Sequence, residues 1–167
     1  FCTRGKASVY VNAPQLEKSS FAGPYNLMEN GGFERTYTGW TRTSGASHTA
    51  LDSFTGKGAL RIAGNLTKDQ YAYQNIPVKT GTGVRETFTL SGWAKAASLP
   101  KKGTSTDPRF QLAAKILYTD NTTEEYTADF SSSTDEWQPV SVTFAKAAYK
   151  AINKIQIYCR YAFESGY

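Results

Sequence analysis

Along this chain, apolar and polar residues tend to alternate one by one. Eight stretches show the pattern: 8–12 (SVYVN), 59–63 (ALRIA), 70–78 (QYAYQNIPV), 86–96 (ETFTLSGWAKA), 109–118 (RFQLAAKILY), 123–130 (TEEYTADF), 137–145 (WQPVSVTFA) and 153–161 (NKIQIYCRY). A period of two sends successive side chains to opposite faces of a strand. Turn-forming residues separate the stretches, among them Gly31-Gly32, Thr80-Gly81-Thr82-Gly83, Asp107-Pro108 and Asp120-Asn121. No segment sustains an apolar stripe at i, i+3, i+4. The best helical candidate, Ala145–Ala151, is short. Eight short strands with turns between them predict an all-β, antiparallel β-sandwich or barrel.

The alternation also predicts faces. Phe88, Leu90, Gly92 and Ala94 form one set and Thr87, Thr89, Ser91, Trp93 and Lys95 the other. Phe110, Leu112, Ala114 and Ile116 oppose Arg109, Gln111, Ala113 and Lys115. Ile155, Ile157 and Cys159 oppose Lys154, Gln156, Tyr158 and Arg160. Each strand buries one face, as antiparallel sheets do. The second faces together hold Trp93, Gln111, Lys115, Gln156, Tyr158 and Arg160, a mixture of aromatic plates and long hydrogen-bonding side chains.

Composition agrees with strands. Aromatics make up 14% of the 167 residues, with 11 Tyr, 9 Phe and 3 Trp. The length suits one domain with a real core. The net charge of +5 is scattered, and the one short basic run, Lys101-Lys102, is too small a footprint for nucleic acid. No run of about 18 apolar residues exists, so no membrane insertion is expected. The chain begins at Phe1 without a secretory signal, and reads as a mature product or an excised piece. Its two cysteines, Cys2 and Cys159, have neither CxxC nor metal-site spacing.

Candidate catalytic chemistry is thin. The only histidine, His48, lies in the loop-like "SGASHTA". There is no G-x-S-x-G, P-loop or dinucleotide fingerprint. Glu124 and Glu125 are adjacent, so on a strand they face opposite ways and cannot act as a glycosidase pair. The residues predict a chain that is not an enzyme.

The two ends echo each other. "FCTRGKASVYVNAPQLEKS" at the front resembles "YCRYAFESGY" at the back, where the sequence stops. We read the chain as one period of a tandem array. Residues 1–20 carry the closing strand of the preceding repeat, and residues 26–167 the next repeat without its own last strand. Strand 8–17 is then expected beside strand 153–161, in cis or by exchange with a neighbouring molecule.

Six motifs in order carry a family resemblance: "NLMENGGFE…GW" at 26–40, "TGKGALRI" at 55–62, "YQNIPV" at 73–78, "FTLSGWAKA" at 88–96, "WQPVSVTF" at 137–144 and "VYVNAPQLE" at 9–17. Together they resemble the jelly-roll carbohydrate-binding modules of bacterial glycanases and of Rhs/YD-repeat or wall-associated surface proteins. The resemblance implies a galactose-binding-like β-sandwich, secreted or attached to the cell wall or surface. Its partners would be a polysaccharide or cell-wall glycan and neighbouring repeats, with no nucleic acid. It also implies a structural calcium ion, with Glu34, Gly56 or Lys57, and Asn12 at the matching positions; Asn12 stands where the family pattern carries Asp. Local chemistry adds a tight Asn30-Gly31-Gly32 turn with positive φ, Phe33 as a core plug, and structural roles for Trp40 and Trp137.

For sugar binding, an aromatic plate stacks on the apolar face of a pyranose while polar neighbours read its hydroxyls. Trp93 is the first candidate, followed by Tyr158, Arg160, Gln111, Tyr71 and Tyr73. The expected function is a non-catalytic glycan-binding or adhesion module. Its rivals are a structural spacer without ligand and a hydrolase or lyase on the same fold.

Overall fold

The structure, a computed structural model, describes residues 8–18, 25–63, 68–78, 80–83, 85–97, 109–131 and 135–162. Cys2, Lys101, Lys102 and most of the terminal echo lie outside the described residues. Among the described residues ten strands run in the order β1 (Ser8–Glu17), β2 (Thr41–Arg42), β3 (Ala46–Thr49), β4 (Ala59–Ala63), β5 (Gln70–Ile76), β6 (Thr87–Ala97), β7 (Arg109–Tyr118), β8 (Thr123–Asp129), β9 (Gln138–Ala145) and β10 (Ile152–Ala162). They form two five-stranded sheets, β3-β4-β1-β6-β9 and β2-β5-β10-β7-β8. Every pairing is antiparallel. The fold is the expected antiparallel β-sandwich of the jelly-roll type.

All eight predicted strands form, within a residue or two except at β1. The two missed strands, β2 and β3, are short and lack an alternating signal; His48 sits in β3, paired with Leu60. The helical candidate Ala145–Ala151 is instead the end of β9 and a turn. Its Tyr149 is exposed and its backbone closes only through Lys150 N–H to Ala147 O. Predicted face assignments hold: Phe88, Leu90, Phe110, Leu112, Ile116, Ile155, Ile157 and Cys159 all fill the space between the sheets. That dry interlayer supplies the main driving force for folding.

The alternating stretch 8–12 is the first half of β1, which runs on to Glu17 as expected of strand 8–17. Pro14 lacks a donor and would interrupt a regular strand. A bulge absorbs it: the register with β6 shifts between Asn12 and Gln15, and Ala13 takes φ 49°. The place of β1 departs from expectation. β10 is flanked by β5 and β7, so no edge beside 153–161 is open. β1 of the same chain lies in the opposite sheet, between β4 and β6.

The opening segment is stitched to that bulge. Asn26 Oδ1 accepts from Leu16 N–H (3.1 Å) and Met28 N–H (2.9 Å), and Leu27 N–H donates to Leu16 O (2.8 Å). In the Asn30-Gly31-Gly32 turn the positive φ falls on Asn30 (50°) and Phe33 (55°), and not on the glycines as expected. Gly31 is needed for proximity, because a Cβ there would stand 2.3 Å from Pro14 O. Phe33 is fully buried and its ring meets Trp40 at 5.0 Å, with Trp40 Nε1 donating to Asn30 O (3.3 Å). Both residues have the structural roles predicted for them.

Candidate functional site

The outer face of the β2-β5-β10-β7-β8 sheet gathers five of the six predicted sugar-binding residues. Register sets them in rows. Tyr71, Arg160, Gln111 and Asp129 lie across β5, β10, β7 and β8; Tyr73, Tyr158, Ala113 and Thr127 form the next row; Asn75, Gln156, Lys115 and Glu125 the third. Their alternate neighbours, Ala72, Ile157, Ala114 and Ala128, point into the core, so the alternation itself presents this face.

The aromatic floor is a triangle. Tyr73 and Tyr158 stack at 5.3 Å between centroids, and Tyr71 meets Tyr158 edge-on at 5.9 Å. Tyr71 and Tyr73 are half-buried on this outer face, not part of the core. The polar rim is cross-braced. Arg160 Nε donates to Gln111 Oε1 (2.8 Å) and its Nη2 to Glu125 Oε1 (2.6 Å), and Gln111 Nε2 donates to Asp129. On the other side Tyr158 Oη donates to Gln156 Oε1 (3.1 Å), and Gln156 Nε2 to Asn75 Oδ1 (2.9 Å). Burial, reinforced by Tyr73, Tyr71 and Glu125, pushes the Tyr158 phenol above its ordinary pKa, so it stays a neutral hydroxyl at physiological pH. The face therefore offers rigid rings next to fixed amide, guanidinium and carboxylate groups. Asn75 and Glu125 were missed as members; Asn75 keeps the same alternation as Tyr71 and Tyr73.

Trp93 does not join them. It belongs to β6, in the other sheet, so the first-ranked candidate and the remaining five occupy opposite faces of the sandwich. One face of its ring is covered by Phe54, stacked at 3.8 Å and 14°. Trp137 approaches the same Phe54 at 6.1 Å. Nothing in the alternation of 86–96 could reveal which sheet holds the strand or which loop covers it.

The four predicted metal positions do converge. Glu34 accepts from Lys57 N–H (2.8 Å) and Gly58 N–H (3.2 Å), and a side chain at Gly56 (φ 69°) would strike the Glu34 carboxylate. Asn12, fully buried, donates from Nδ2 to Gly58 O (2.6 Å) and accepts from Thr55 N–H (3.2 Å) and Oγ1 (3.0 Å). Calcium takes six to eight oxygens and favours carboxylates. Here one carboxylate is present, and it serves backbone N–H groups. The atom meeting Gly58 O is a nitrogen. Among the described residues no three of His, Cys, Asp or Glu gather. The residues close on each other and do not fit a calcium ion.

The residues weighed for catalysis lie apart. The His48 ring meets Tyr37 edge-on at 6.3 Å, and its backbone N–H donates to Tyr37 Oη (2.9 Å); among the described residues its Nε2 has no hydrogen-bond partner. Glu124 and Glu125 point to opposite faces as predicted. Glu124 accepts from Tyr118 Oη (2.6 Å) and Tyr126 Oη (3.1 Å), and Glu125 pairs with Arg160. Cys159 is a buried free thiol whose pKa burial pushes far up, so it is inert.

The tRNA nuclease WapA of Bacillus subtilis (strain 168) is 30% identical over 157 residues, covering 92% of this chain and 6% of that protein. The tRNA3(Ser)-specific nuclease WapA of Bacillus spizizenii matches to the same extent. The chain thus spans a small fraction of the curated relatives it matches. Among solved structures, a family 16 carbohydrate-binding module superposes with TM-score 0.56 at 17% identity, covering 83% of this chain and 98% of that one, a likeness of fold. A family model described as a carbohydrate binding domain matches residues 25–161, from the opening segment to the end of β10, and the chain belongs to that family.

Proposed function

We propose that the chain is a non-catalytic module that binds polysaccharide on the outer face of the β2-β5-β10-β7-β8 sheet. The observation that carries this reading is the Tyr71–Tyr73–Tyr158 triangle flanked by Gln111 and Arg160 on one side and Asn75 and Gln156 on the other. Rings fixed against one another lose little entropy when a sugar stacks on them; Arg160, Asn75 and Gln156 flank them for its hydroxyls, with the buried Gln111 holding Arg160 in place. The test is calorimetric titration with xylohexaose, cellohexaose and β-1,4-galactotriose. Tyr158→Ala removes the ring shared by two of the aromatic contacts. It is expected to weaken binding by ~1–2 kcal/mol, roughly 5–30-fold in Kd. A folded protein that binds none of these sugars, nor insoluble polysaccharide, would favour the spacer reading.

We further propose that the module works outside the cell, on a wall or surface glycan, as one unit of a tandem array. The supporting observation is that β1 lies outside the family-matched span of 25–161, yet occupies the middle of a sheet. A strand that the sandwich needs therefore precedes the unit it completes. Completion in cis predicts a monomer by sedimentation at all concentrations. Concentration-dependent dimers that dissociate only slowly on dilution would instead mean strand exchange.

A further inference from the structure

The opposite face of the sandwich carries a second hollow. On the outer side of the β3-β4-β1-β6-β9 sheet a depression of about 430 Å³ opens over Gly92. This lies within the range of small-ligand clefts. Its walls come in two cross-strand rows. Gln15, Ser91 and Ser141 are register partners across β1, β6 and β9 and form a polar row. One step along, Trp93 and Pro139 are partners and form an apolar row. The β1 bulge at Ala13-Pro14 makes the gap between them, since it moves Pro14 inward against Gly92 and breaks the ladder at this point.

The hollow is preformed and uncharged. Phe54 holds the Trp93 ring by stacking on it, and Asn12 fixes the loop that carries Phe54 through the two bonds from Thr55. Gln15 is oriented by its own bond, Nε2 to Glu17 Oε1 at 2.8 Å. Among the described residues no ionisable side chain lines the hollow. That composition argues against phosphate, nucleotide or carboxylate ligands, which require paired charge. A rigid ring beside a row of amide and hydroxyl groups matches a neutral molecule with one apolar face and a hydroxylated edge.

We propose that this hollow is a second saccharide site, taking a short neutral sugar segment with its ring against Trp93 and Pro139 and its hydroxyls on Gln15, Ser91 and Ser141. It rests on the reading of the chain as a glycan-binding module, but uses none of the residues of the tyrosine face. Two sites on opposite sheets would let one module bridge two polysaccharide chains, with the gain in avidity that linked sites bring.

The experiment is a two-dimensional amide and indole NMR titration of the whole chain with xylohexaose, cellohexaose and β-1,4-galactotriose. Two groups of shifting resonances are expected, one on β5, β7 and β10 and one at Gln15, Ser91, Trp93 and Ser141, with separate saturation curves. Ser141→Arg, at an exposed position, should weaken the second group by tenfold or more and leave the first unchanged; Tyr158→Ala should do the reverse. Ser91→Leu gives an independent block of the hollow if the first variant folds poorly. Saturation of the tyrosine face with no shift at Gln15, Ser91 or the Trp93 indole would overturn the second site alone. Shifts confined to the hollow would support it and overturn the tyrosine-face reading. Silence on both faces would overturn both.

Discussion

Replacing Asn12 by aspartate tests how the loop under Glu34 is held. The substitution keeps the shape and exchanges one N–H donor for a carboxylate oxygen. In the native chain Asn12 Nδ2 lies 2.6 Å from Gly58 O, at a residue with no exposed surface. The introduced carboxylate would set a negative oxygen against that carbonyl, leaving Gly58 O without its donor. An unsatisfied buried polar group costs ~1–3 kcal/mol, and the buried charge adds to this. Thr55 N–H and Oγ1 would donate to a carboxylate more strongly and offset part of it. The net expectation is a loss of ~2–3 kcal/mol, or roughly 5–10 °C in Tm for a domain of this size.

The assay is urea unfolding with EGTA or with excess Ca²⁺. The wild type should unfold at the same urea concentration in both, because Asn12, Glu34 and the 55–58 backbone satisfy one another. Asn12→Asp should be weakened in EGTA and should recover in part with Ca²⁺, since the new carboxylate joins Glu34 beside the loop carbonyls. The pH sign follows from burial. Burial would raise the folded pKa of the introduced carboxyl, so the penalty is absent below about pH 4 and grows as pH rises above it. A saturable rise in wild-type stability with Ca²⁺ would refute the closed network, as would Asn12→Asp proving as stable as wild type in EGTA.

Two further outcomes are expected. Gly31→Ala should destabilise by ~2–3 kcal/mol in urea unfolding, because its Cβ would meet the Pro14 carbonyl at 2.3 Å and backbone on both sides must move; a loss under ~0.5 kcal/mol would show that the turn is loosely docked. Stability should fall in alkali. Tyr118, Tyr126, Tyr158 and Tyr161 are all raised first by burial, and so is the Cys159 thiol. Each group's stabilisation is complete below its unfolded pKa, ~8.5 for the thiol and ~10 for the phenols, and is lost as pH rises beyond it. The urea midpoint should therefore be flat from about pH 6 to 8 and drop steadily above about pH 9; a midpoint unchanged at about pH 11 would contradict this.

The strands and their faces were legible because period-two alternation is a local property. Phe88, Leu90, Ile155 and Ile157 declare their side of a strand whatever the strand's neighbours are. Sheet membership is not local. Trp93 and Tyr158 occupy equivalent outward positions on their strands, and only the order of strands places them on opposite faces. The bulge in β1 was hidden for a related reason. Pro14 carries no local sign of the bulge, and the strand past it is held by its ladder with β6 and by Asn26 and Gly31, ten or more residues later, which engage Leu16 and Pro14. Asn12, Glu34 and the loop 55–58 meet in one place, but which atom of Asn12 faces Gly58 is set by the fold around it and is not written in the sequence.

The opening segment also links the two faces of the sandwich. At one end Asn26 and Gly31 lock onto the β1 bulge. At the other, Glu29 N–H donates to Gln74 Oε1 (2.8 Å), while Gln74 Nε2 donates to Glu29 O (2.9 Å) and Gly39 O (3.1 Å). Gln74 is buried, and follows Tyr73 directly on β5. The segment is thus a strut between the bulge that opens the Trp93 hollow and the strand that carries Tyr71 and Tyr73. Its hydrogen bonds are half-buried, and breaking either end would leave amide groups of Asn26 or Gln74 unsatisfied. β1 therefore supports the tyrosine face although it lies in the other sheet. A module deprived of β1 would lose the anchor of that strut, which ties the integrity of the tyrosine face to the strand that precedes it in the chain.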